Sequence, residues 1–310
     1  MTLVLDAAAV RESLDPAALV AALREVFAGG GVVAPERSHV PLDDEHEATL
    51  LLMPAWRSGD LLGVKVATHH SRNGERGLPA IHGTYLLLDP ATGVPQAILD
   101  GTELTRWRTA AASALAADHL APAEVGEHLV VGAGNVAAAV PACYAAVRRV
   151  GHTSVWARDR ARAARLVEEL REQGYAADVA DDLRAAVRRA DVVTTATSAT
   201  SPLVLGEDVS PGTHVDLIGS FSPQMVEADE ALMTRARIVV DVPEARQTAG
   251  ELVGPLRRGA LDEEDVRLTL ADLVSGRETG RETAEQVTAF VSVGTAAEDL
   301  AAAALVLRSR

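Results

Sequence analysis

The stretch that decides the fold of this chain is His128-Leu129-Val130-Val131-Gly132-Ala133-Gly134-Asn135-Val136-Ala137. Its first half is typical of a buried strand, and the Gly-x-Gly-x-x-Ala that follows opens a helix. In such a turn the first glycine permits the tight bend, and the second lets a pyrophosphate approach the backbone. Ala137 allows the helix to pack closely on the strand, and the helix N-terminus adds positive potential for phosphates. A purely structural turn can share these letters, so the context has to decide.

Short runs rich in valine and isoleucine alternate with amphipathic segments from this motif onward. Strands are predicted at 128–132, 153–157, 176–179, 191–196, 213–219 and 237–241. Helices are predicted at 135–149, 159–173, 182–189 and 226–235. Such alternation predicts a doubly wound parallel sheet, which is the context in which the motif indicates a dinucleotide-binding Rossmann domain.

The rest of the sequence predicts a smaller α+β lobe. An amphipathic helix at 15–28 precedes strand-like segments, and an Ala-rich helix follows at 103–119; the strand-like segments are 48–54, 61–68, 81–89 and 95–99. The last stretch, 281–308, is also helical in composition. We therefore predict an α/β fold with a Rossmann domain at 124–290 and a second domain formed by 1–123 with 291–310.

Composition narrows the class of protein. The 310 residues carry a net charge of −15, and the 29 basic residues are dispersed, so neither nucleic acid nor an anionic membrane is an expected partner. Residues 1–6 lack the features of a secretory signal, and the single cysteine, Cys143, cannot form an intrachain disulfide, so we expect a cytoplasmic protein. His69, His70 and His82 have no neighbours at metal-ligand spacing, and we expect no metal site.

The end of the second Rossmann strand bears on the choice of cofactor. An NAD site usually places an acidic residue there, whereas this chain has Arg158, with Arg160 and Arg162 close behind. Guanidinium groups suit a 2′-phosphate, so the sequence favours NADP(H) over NAD(H). The alternative is a solvated helix start with Asp159 as its N-cap. The fourth strand ends at 196–198, where the nicotinamide half is expected, although the hydroxyls there could instead satisfy a turn.

Several further motifs resemble one known family. They are Gly63-Val64-Lys65, Gly77-Leu78-Pro79, Leu88-Asp89-Pro90-Ala91-Thr92-Gly93, Asp100-Gly101-Thr102-Glu103-Leu104-Thr105 leading to Arg108-Thr109-Ala110-Ala111, and Ser292-Val293-Gly294-Thr295-Ala296-Ala297-Glu298-Asp299. Over nearly the whole chain the sequence resembles the ornithine cyclodeaminase/mu-crystallin family. The resemblance implies a homodimer, formed through the lobe that also binds substrate, and a small substrate carrying an α-amino or α-imino carboxylate.

The resemblance also implies roles for individual residues. Lys65 would stand beside the substrate as the catalytic residue, and Arg108 and Arg37 would bind its carboxylate. Arg108 also lies on an inward stripe of the 103–119 helix with Leu104 and Leu115, so it needs an anionic partner, which a structural carboxylate could equally supply. Lys65 could likewise be an ordinary polar residue of a strand. The cofactor-binding set is Thr109, Gly132, Gly134, Asn135, Val136, Arg158, Ala196, Thr197, Gly219 and Ser220.

One departure from the family pattern guides the functional interpretation. Phe221 stands where ornithine cyclodeaminases carry an acidic residue after the fifth strand, and an aromatic ring cannot exchange a proton. Glu227 and Asp229 are interpreted as serving the start of the next helix. We therefore expect an NAD(P)H-dependent reductase of a small cyclic or linear ketimine, of the pyrroline-2-carboxylate or piperideine-2-carboxylate type. Alternatives are a redox-neutral cyclodeaminase, an enzyme of alanine dehydrogenase or opine type, and a non-catalytic NADP(H)-dependent binding protein.

Overall fold

The computed structural model describes residues 2–29, 31–43 and 48–310 of the chain. They fold into two compact units, Met1–Arg108 with Thr295–Arg310 and Thr109–Gly294. The first unit contains a mixed sheet and the second a fully parallel sheet, which confirms the predicted α/β class. The boundaries drawn from sequence at 123/124 and 290/291 remain a prediction.

The first unit is built on a sheet with the strand order β1-β7-β6-β5-β4-β2, and β3 also pairs with β4. All neighbours are antiparallel except β1 and β7. The strands are β1 (Leu3–Leu5), β2 (Val32–Val33), β3 (Ser38–Asp43), β4 (Ala48–Arg57), β5 (Leu61–His70), β6 (Ile81–Leu88) and β7 (Pro95–Asp100). A 3-10 helix, Ser71–Arg76, connects β5 and β6. The four strands predicted here are confirmed.

Helices complete the first unit. They are α1 (Ala7–Glu12), α2 (Pro16–Phe27), the first part of α3 (Gly101–Leu120), and the C-terminal helix α11 (Ala296–Arg308). Asp15 caps α2 by accepting a hydrogen bond from the Ala18 amide, and Pro16 occupies the first helical position, as the sequence predicts. Helix α11 packs on α2 and on β4, β5 and β6. One face of the sheet is therefore buried under helix.

The opposite face of this sheet is apolar and partly exposed. The cross-strand register aligns five apolar residues in one row across five strands, namely Val4, Ile98, Leu86, Val64 and Pro54. Val4 is 75% exposed and Ile98 37%, and Val66 and Trp56 on the same sheet are also exposed. We call this row, with Val66 and Trp56, the outer apolar face.

On the buried face, Lys65 is aligned with Met53 and Tyr85 on the neighbouring strands. Tyr85 is fully buried, and its ring lies against Gly63, where a Cβ atom would come within 2.4 Å of the Tyr85 hydroxyl oxygen. The glycine of Gly63-Val64-Lys65 is therefore required by packing, and Lys65 belongs to the interior of the unit, not to an ordinary solvated strand face.

The second unit contains a seven-stranded parallel sheet of order β10-β9-β8-β11-β12-β14-β13. Its strands are β8 (Glu124–Val131), β9 (Arg149–Trp156), β10 (Ala177–Val179), β11 (Val192–Thr195), β12 (His214–Leu217), β13 (Arg237–Val240) and β14 (Thr288–Val291). Its helices are the second part of α3, α4 (Asn135–Ala145), α5 (Arg160–Glu172), α6 (Leu183–Arg189), α7 (Glu230–Met233), α8 (Ala245–Thr248), α9 (Gly250–Arg258) and α10 (Leu270–Val274), with a 3-10 helix at Gly206–Asp208. All six predicted strands are confirmed.

Two of the predicted helices are wrong in part. The 281–308 segment contains β14, which lies between β12 and β13 in the sheet, and only 296–308 is helical. The strand forms because the buried run of residues 287–293 is rich in β-branched and aromatic side chains. The 226–235 segment is helical only over α7. The Val226 amide donates to the Ala199 carbonyl and Ala228 bridges Val204, so this backbone is extended up to Asp229, which caps α7.

A buried polar network centred on Asp216 occupies the middle of the parallel sheet. The fully buried carboxylate of Asp216 accepts hydrogen bonds from Ser113, Thr194 and Tyr144, and its other oxygen lies 2.9 Å from His214 Nε2. Burial lowers the pKa of the nearby His128 to about 4. Buried polar groups are tolerated when they are satisfied in this way.

None of the described helices is long and apolar enough to cross a membrane.

Candidate functional site

The glycine turn after β8 has the geometry that a dinucleotide requires. Gly132 adopts φ +125°, and a Cβ atom there would lie 2.6 Å from the Ala196 carbonyl oxygen. A Cβ atom at Gly134 would meet no heavy atom within 4 Å, so that side of the turn is open. Gly134 is the N-cap of α4 and offers no side-chain capping bond. The first amides of α4 are therefore left to an external acceptor, which fits a pyrophosphate.

A cavity of about 690 Å³ opens at this turn, in the crevice where the strand order reverses around β8. It is lined by residues 132–134, 156–159, 162, 196–201 and 203. Five members of the predicted cofactor set lie in this lining, namely Gly132, Gly134, Arg158, Ala196 and Thr197. The fold therefore brings together the three loops that follow β8, β9 and β11.

The other five predicted cofactor residues lie outside the lining. Asn135 and Val136 are the first residues of α4, directly after Gly134. Gly219 and Ser220 follow β12, and Thr109 is buried in α3. The Ser220 hydroxyl donates to the Met225 carbonyl at 2.7 Å, which is a structural contact of its own loop.

Arg158 occupies the part of the cavity rim that follows β9. Asp159 accepts hydrogen bonds from the Ala161 and Arg162 amides, which confirms it as the N-cap of α5. Arg160 pairs with Asp181 at 2.8 Å, and Arg162 lies 3.6 Å from Asp159. Arg158 is exposed and, within the residues the structure describes, its side chain forms no ion pair.

Glu227 joins the ends of β11 and β12. Its Oε1 accepts hydrogen bonds from the Thr197 amide at 2.8 Å and the Thr197 hydroxyl at 2.7 Å, and its Oε2 accepts one from the Gly219 amide at 2.8 Å. Glu227 is fully buried, and burial raises the pKa of its carboxyl group. The interpretation of Glu227 as a helix-start residue is therefore wrong, whereas that of Asp229 is confirmed. The Thr197 hydroxyl satisfies this turn.

In the first unit, Lys65 lies in a buried ionic cluster. Its Nζ is 2.7 Å from Asp299 Oδ2 and donates to the Thr105 hydroxyl at 3.3 Å. Lys65 is only 4% exposed and Asp299 is fully buried. Of its three ammonium hydrogens, two have these partners.

Arg108 belongs to the same cluster. Its Nη1 lies 2.8 Å from Glu298 Oε2, and its Nε lies 3.2 Å from Asp299 Oδ1. The anionic partner that its inward position demanded is thus a pair of structural carboxylates on the first turn of α11. Arg37 is half-buried and close enough for its charge to act on Lys65. The fold therefore brings Lys65, Arg108 and Arg37 together.

Burial dominates the electrostatics of this cluster. It lowers the pKa of Lys65 to about 8; Asp299 opposes that shift, and the charges of Arg108 and Arg37 add to it. Lys65 and Arg108 face the two carboxylates of Glu298 and Asp299. Within the described residues, no three His, Cys, Asp or Glu side chains are arranged to hold a metal ion.

Three acidic residues were given no functional role by the sequence analysis. Glu298 and Asp299 stand in a quoted motif, and Glu227 was placed at a helix start. The sequence does contain a signal for Glu298 and Asp299, because the two adjacent acids begin a helix composed almost entirely of Ala and Leu. Acids buried on such a helix are energetically costly unless they are paired, so they indicate cationic partners. Nothing in the sequence pointed from Glu227 to Thr197.

Comparison with known proteins gives a consistent result. The model of the ornithine cyclodeaminase/mu-crystallin family matches residues 2–309. A Delta(1)-pyrroline-2-carboxylate reductase of Paracoccus denitrificans is 42% identical over 267 residues, which are 84% of this chain and 83% of the relative.

Two solved structures are also similar. One is Thermococcus litoralis Delta(1)-pyrroline-2-carboxylate reductase in complex with NADH and L-proline, with a TM-score of 0.95, 28% identity, and coverage of 99% of this chain and 97% of that one. The other is an archaeal alanine dehydrogenase dimer with bound NAD, with a TM-score of 0.92, 31% identity, and coverage of 99% and 95%. The chain belongs to the ornithine cyclodeaminase/mu-crystallin family.

Proposed function

We propose that this protein is an NAD(P)H-dependent reductase that converts a small ketimine, of the pyrroline-2-carboxylate or piperideine-2-carboxylate type, into the amino acid. The observation that carries the proposal is the buried Lys65, held by Asp299 and Thr105 beside Arg108. Relatives named as pyrroline-2-carboxylate reductases, and one solved with NADH and L-proline, support the same reaction class.

Arg108 and Arg37 are proposed to bind the substrate carboxylate. The low exposure of Lys65 and Arg108 would strengthen their attraction for a ligand carboxylate. Glu298 and Asp299 hold Arg108 in place, so the guanidinium is positioned before substrate arrives.

Lys65 is proposed as the proton donor. Its third ammonium hydrogen would be directed to the imine nitrogen, directly or through a water molecule. A pKa of about 8 places Lys65 in the range suited to general acid catalysis near neutral pH. When bound, a reduced nicotinamide supplies hydride to the imine carbon. With the proton from Lys65 on nitrogen, the C=N bond becomes a CH–NH bond, and the lysine is reprotonated from solvent.

The second unit is proposed to bind the dinucleotide at the Gly132–Gly134 turn and the N-terminus of α4. Asn135, Val136, Ala196, Thr197, Gly219, Ser220 and Thr109 complete the proposed set. We propose a preference for NADP(H), because Arg158 lines the cavity while the one nearby acid in the lining, Asp159, caps α5. The relatives solved with NADH and NAD make NAD(H) the competing outcome.

Alanine dehydrogenase activity is the second candidate function. It is favoured by the archaeal relative of that name, which covers nearly the whole chain. The reaction would use the same Lys65 and Arg108 with a smaller, linear imino acid. A cyclodeaminase is less well supported, because Phe221 provides no acid at the position where that activity has one.

The first prediction concerns the reaction itself. We expect the purified protein to oxidise NADPH or NADH when given pyrroline-2-carboxylate or piperideine-2-carboxylate, followed by the loss of nicotinamide absorbance. Pyruvate with ammonia tests the alanine dehydrogenase alternative, and ammonia release from ornithine without net oxidation tests a cyclodeaminase. Tight cofactor binding without turnover of any imino acid would contradict an enzymatic role and favour a binding protein.

The second prediction concerns the pH dependence of the reduction. Because the protonated Lys65 is the donor, kcat/KM for imine reduction should fall about tenfold per pH unit above a pH of about 8, and amine oxidation should rise through the same range. Asp299→Asn removes a charge that raises the pKa of Lys65, so the descending limb should move to lower pH. Asp181→Asn, at an exposed surface pair, is the control. An unchanged limb in Asp299→Asn, or full turnover by Lys65→Met, would remove Lys65 from the mechanism.

The third prediction concerns cofactor binding, measured by calorimetry. Arg158→Ala should weaken NADPH binding by about 10- to 100-fold, the usual range for a lost charge-assisted hydrogen bond, and leave NADH binding nearly unchanged. Arg160→Ala, already paired with Asp181, is the matched control. Gly134→Ala should weaken both cofactors without lowering the melting temperature, because its Cβ enters open space. Equal loss of NADPH and NADH in Arg158→Ala would argue against a 2′-phosphate contact.

We also propose that the protein forms a homodimer through the outer apolar face of the first unit. Five apolar residues lie in register across five strands; Val4 and Ile98 are exposed and the other three half-buried, and such a patch is unusual on a monomer surface. A second copy of the same face would cover them, and the archaeal alanine dehydrogenase relative is described as a dimer.

The fourth prediction tests this dimer by light scattering. Val64→Asp, at the centre of the row, should convert the dimer to a monomer, because a buried unpaired carboxylate in the interface is strongly unfavourable. Val94→Asp, at a turn of the same unit where the side chain is 59% exposed, should leave the dimer intact. A wild-type protein that is monomeric at micromolar concentration would refute the proposed interface.

A further inference from the structure

A buried acid in the second unit has no role in the mechanism above. Glu251 stands in the first turn of α9 and is only 2% exposed. Neither of its carboxyl oxygens has a hydrogen-bond partner among the described residues. Gly250, the residue before Glu251, packs closely against the segment that leads to Glu227, since a Cβ atom there would lie 2.3 Å from the Met225 carbonyl oxygen and 2.9 Å from Val226 Cγ2.

The charged group that faces Glu251 is Glu227. Its charge disfavours ionisation of Glu251, while the Ser220 hydroxyl and the Glu227 backbone lie close enough to favour it. The other charged groups on the elements packed against α9 are engaged elsewhere. Arg258 pairs with Glu230 of α7, Arg246 of α8 pairs with Glu263, and Asp229 caps α7. Arg257, on α9 itself, is exposed, so no buried cation faces Glu251 in the part of the chain that is described.

The two acids differ in their hydrogen bonding. Glu227 accepts bonds from the amide and hydroxyl of Thr197 and from the Gly219 amide, which suits a carboxylate. The Ser220 hydroxyl and the Glu227 backbone lie near Glu251, but neither of its oxygens accepts a hydrogen bond within the described residues. Burial, together with the charge of Glu227, raises the pKa of Glu251 to about 8. At neutral pH the proton therefore resides on Glu251.

We propose that Glu251 stays protonated beside the Glu227 carboxylate, and that this carboxyl pair positions the loops after β11 and β12 for dinucleotide binding. The proposal rests on the proposed function of the cavity as a dinucleotide site. Both acids are positioning residues, because Glu227 acts through Thr197 and Gly219, and Glu251 acts through Glu227.

The effect of losing the proton follows from the contacts. A second buried negative charge would repel Glu227 from Thr197 and Gly219. Thr197 lines the cavity next to Ala196, whose carbonyl lies against Gly132. Displacement of this loop would therefore disturb the turn that is proposed to hold the pyrophosphate, and dinucleotide affinity should fall as pH rises through the pKa of Glu251.

The fifth prediction is tested by titrating the full-length protein with NADH in the absence of substrate. Between about pH 7 and about pH 9 the wild-type Kd should rise about tenfold, as expected if only the form with a protonated Glu251 binds well. Glu251→Gln keeps the shape and remains neutral, so its Kd should stay constant over that range. Glu251→Met is a second neutral variant, in case the amide disturbs folding. Glu263→Gln, at an exposed glutamate, should follow the wild type.

Infrared spectroscopy of the cofactor-free protein provides an independent measurement. The wild type should show the carbonyl band of a protonated carboxyl group at about pH 7 that is lost at about pH 9, and Glu251→Gln should lack this band. Parallel Kd profiles in wild type and Glu251→Gln, or absence of the band from the wild type, would overturn the carboxyl pair. Failure of the wild type to bind either NADH or NADPH at about pH 7 would instead overturn the proposed function of the cavity, and the infrared band would still test the pair.

Discussion

The candidate substrate site depends on one buried carboxylate. Asp299 has no solvent exposure, so its charge has to be compensated within the protein, and its two oxygens face Lys65 and Arg108. Replacing a single member of such a cluster leaves an uncompensated buried charge, which typically costs about 3–5 kcal/mol. The cationic groups are thus fixed by folding itself. Because Asp299 lies on α11, the first unit cannot complete this cluster until that helix has packed.

In the second unit, three buried carboxyl groups are accommodated in other ways. Asp216, in the middle of the parallel sheet, is surrounded by hydroxyl donors and a histidine. Glu227 is held by backbone amides and a threonine hydroxyl at the ends of two strands. Neither oxygen of Glu251 accepts a hydrogen bond within the described residues, and burial raises its pKa to about 8. The three carboxyl groups therefore differ in their immediate partners, although all three are buried to a similar degree.

The sequence predicted the elements with strong local signals. The glycine turn, the six predicted parallel strands and the capping aspartate at position 159 depend on neighbouring residues, and all were found. The β14 strand was missed because its buried, Ala-containing run lies within a helix-like composition, and only its place between β12 and β13 makes it a strand. The extended stretch before α7 was missed for the same kind of reason, since its pairing partners lie around residues 199 and 204.

The cationic side chains of the site could be predicted from the sequence, but the acidic side chains that pair with them could not. Lys65 and Arg108 stand in recognisable motifs, whereas their partners Glu298 and Asp299 are about 190 residues away from Arg108 in sequence. The partners of Glu227 are similarly remote, since Thr197 lies 30 residues before it. Local patterns contain no information on which distant carboxylate compensates a given charge, and that part required the three-dimensional structure.

The contacts of Glu227 also bear on how this protein can evolve. Any side chain at Gly219 would collide with the Thr197 backbone and with the glutamate, and a shorter acid at 227 could not reach both loops. We therefore expect three positions to covary, namely Thr197, Gly219 and Glu227. A change at one of them is tolerated only with a compensating change at another. Divergent members of the lineage should preserve or exchange these three positions together, even where the surrounding loops accumulate substitutions freely.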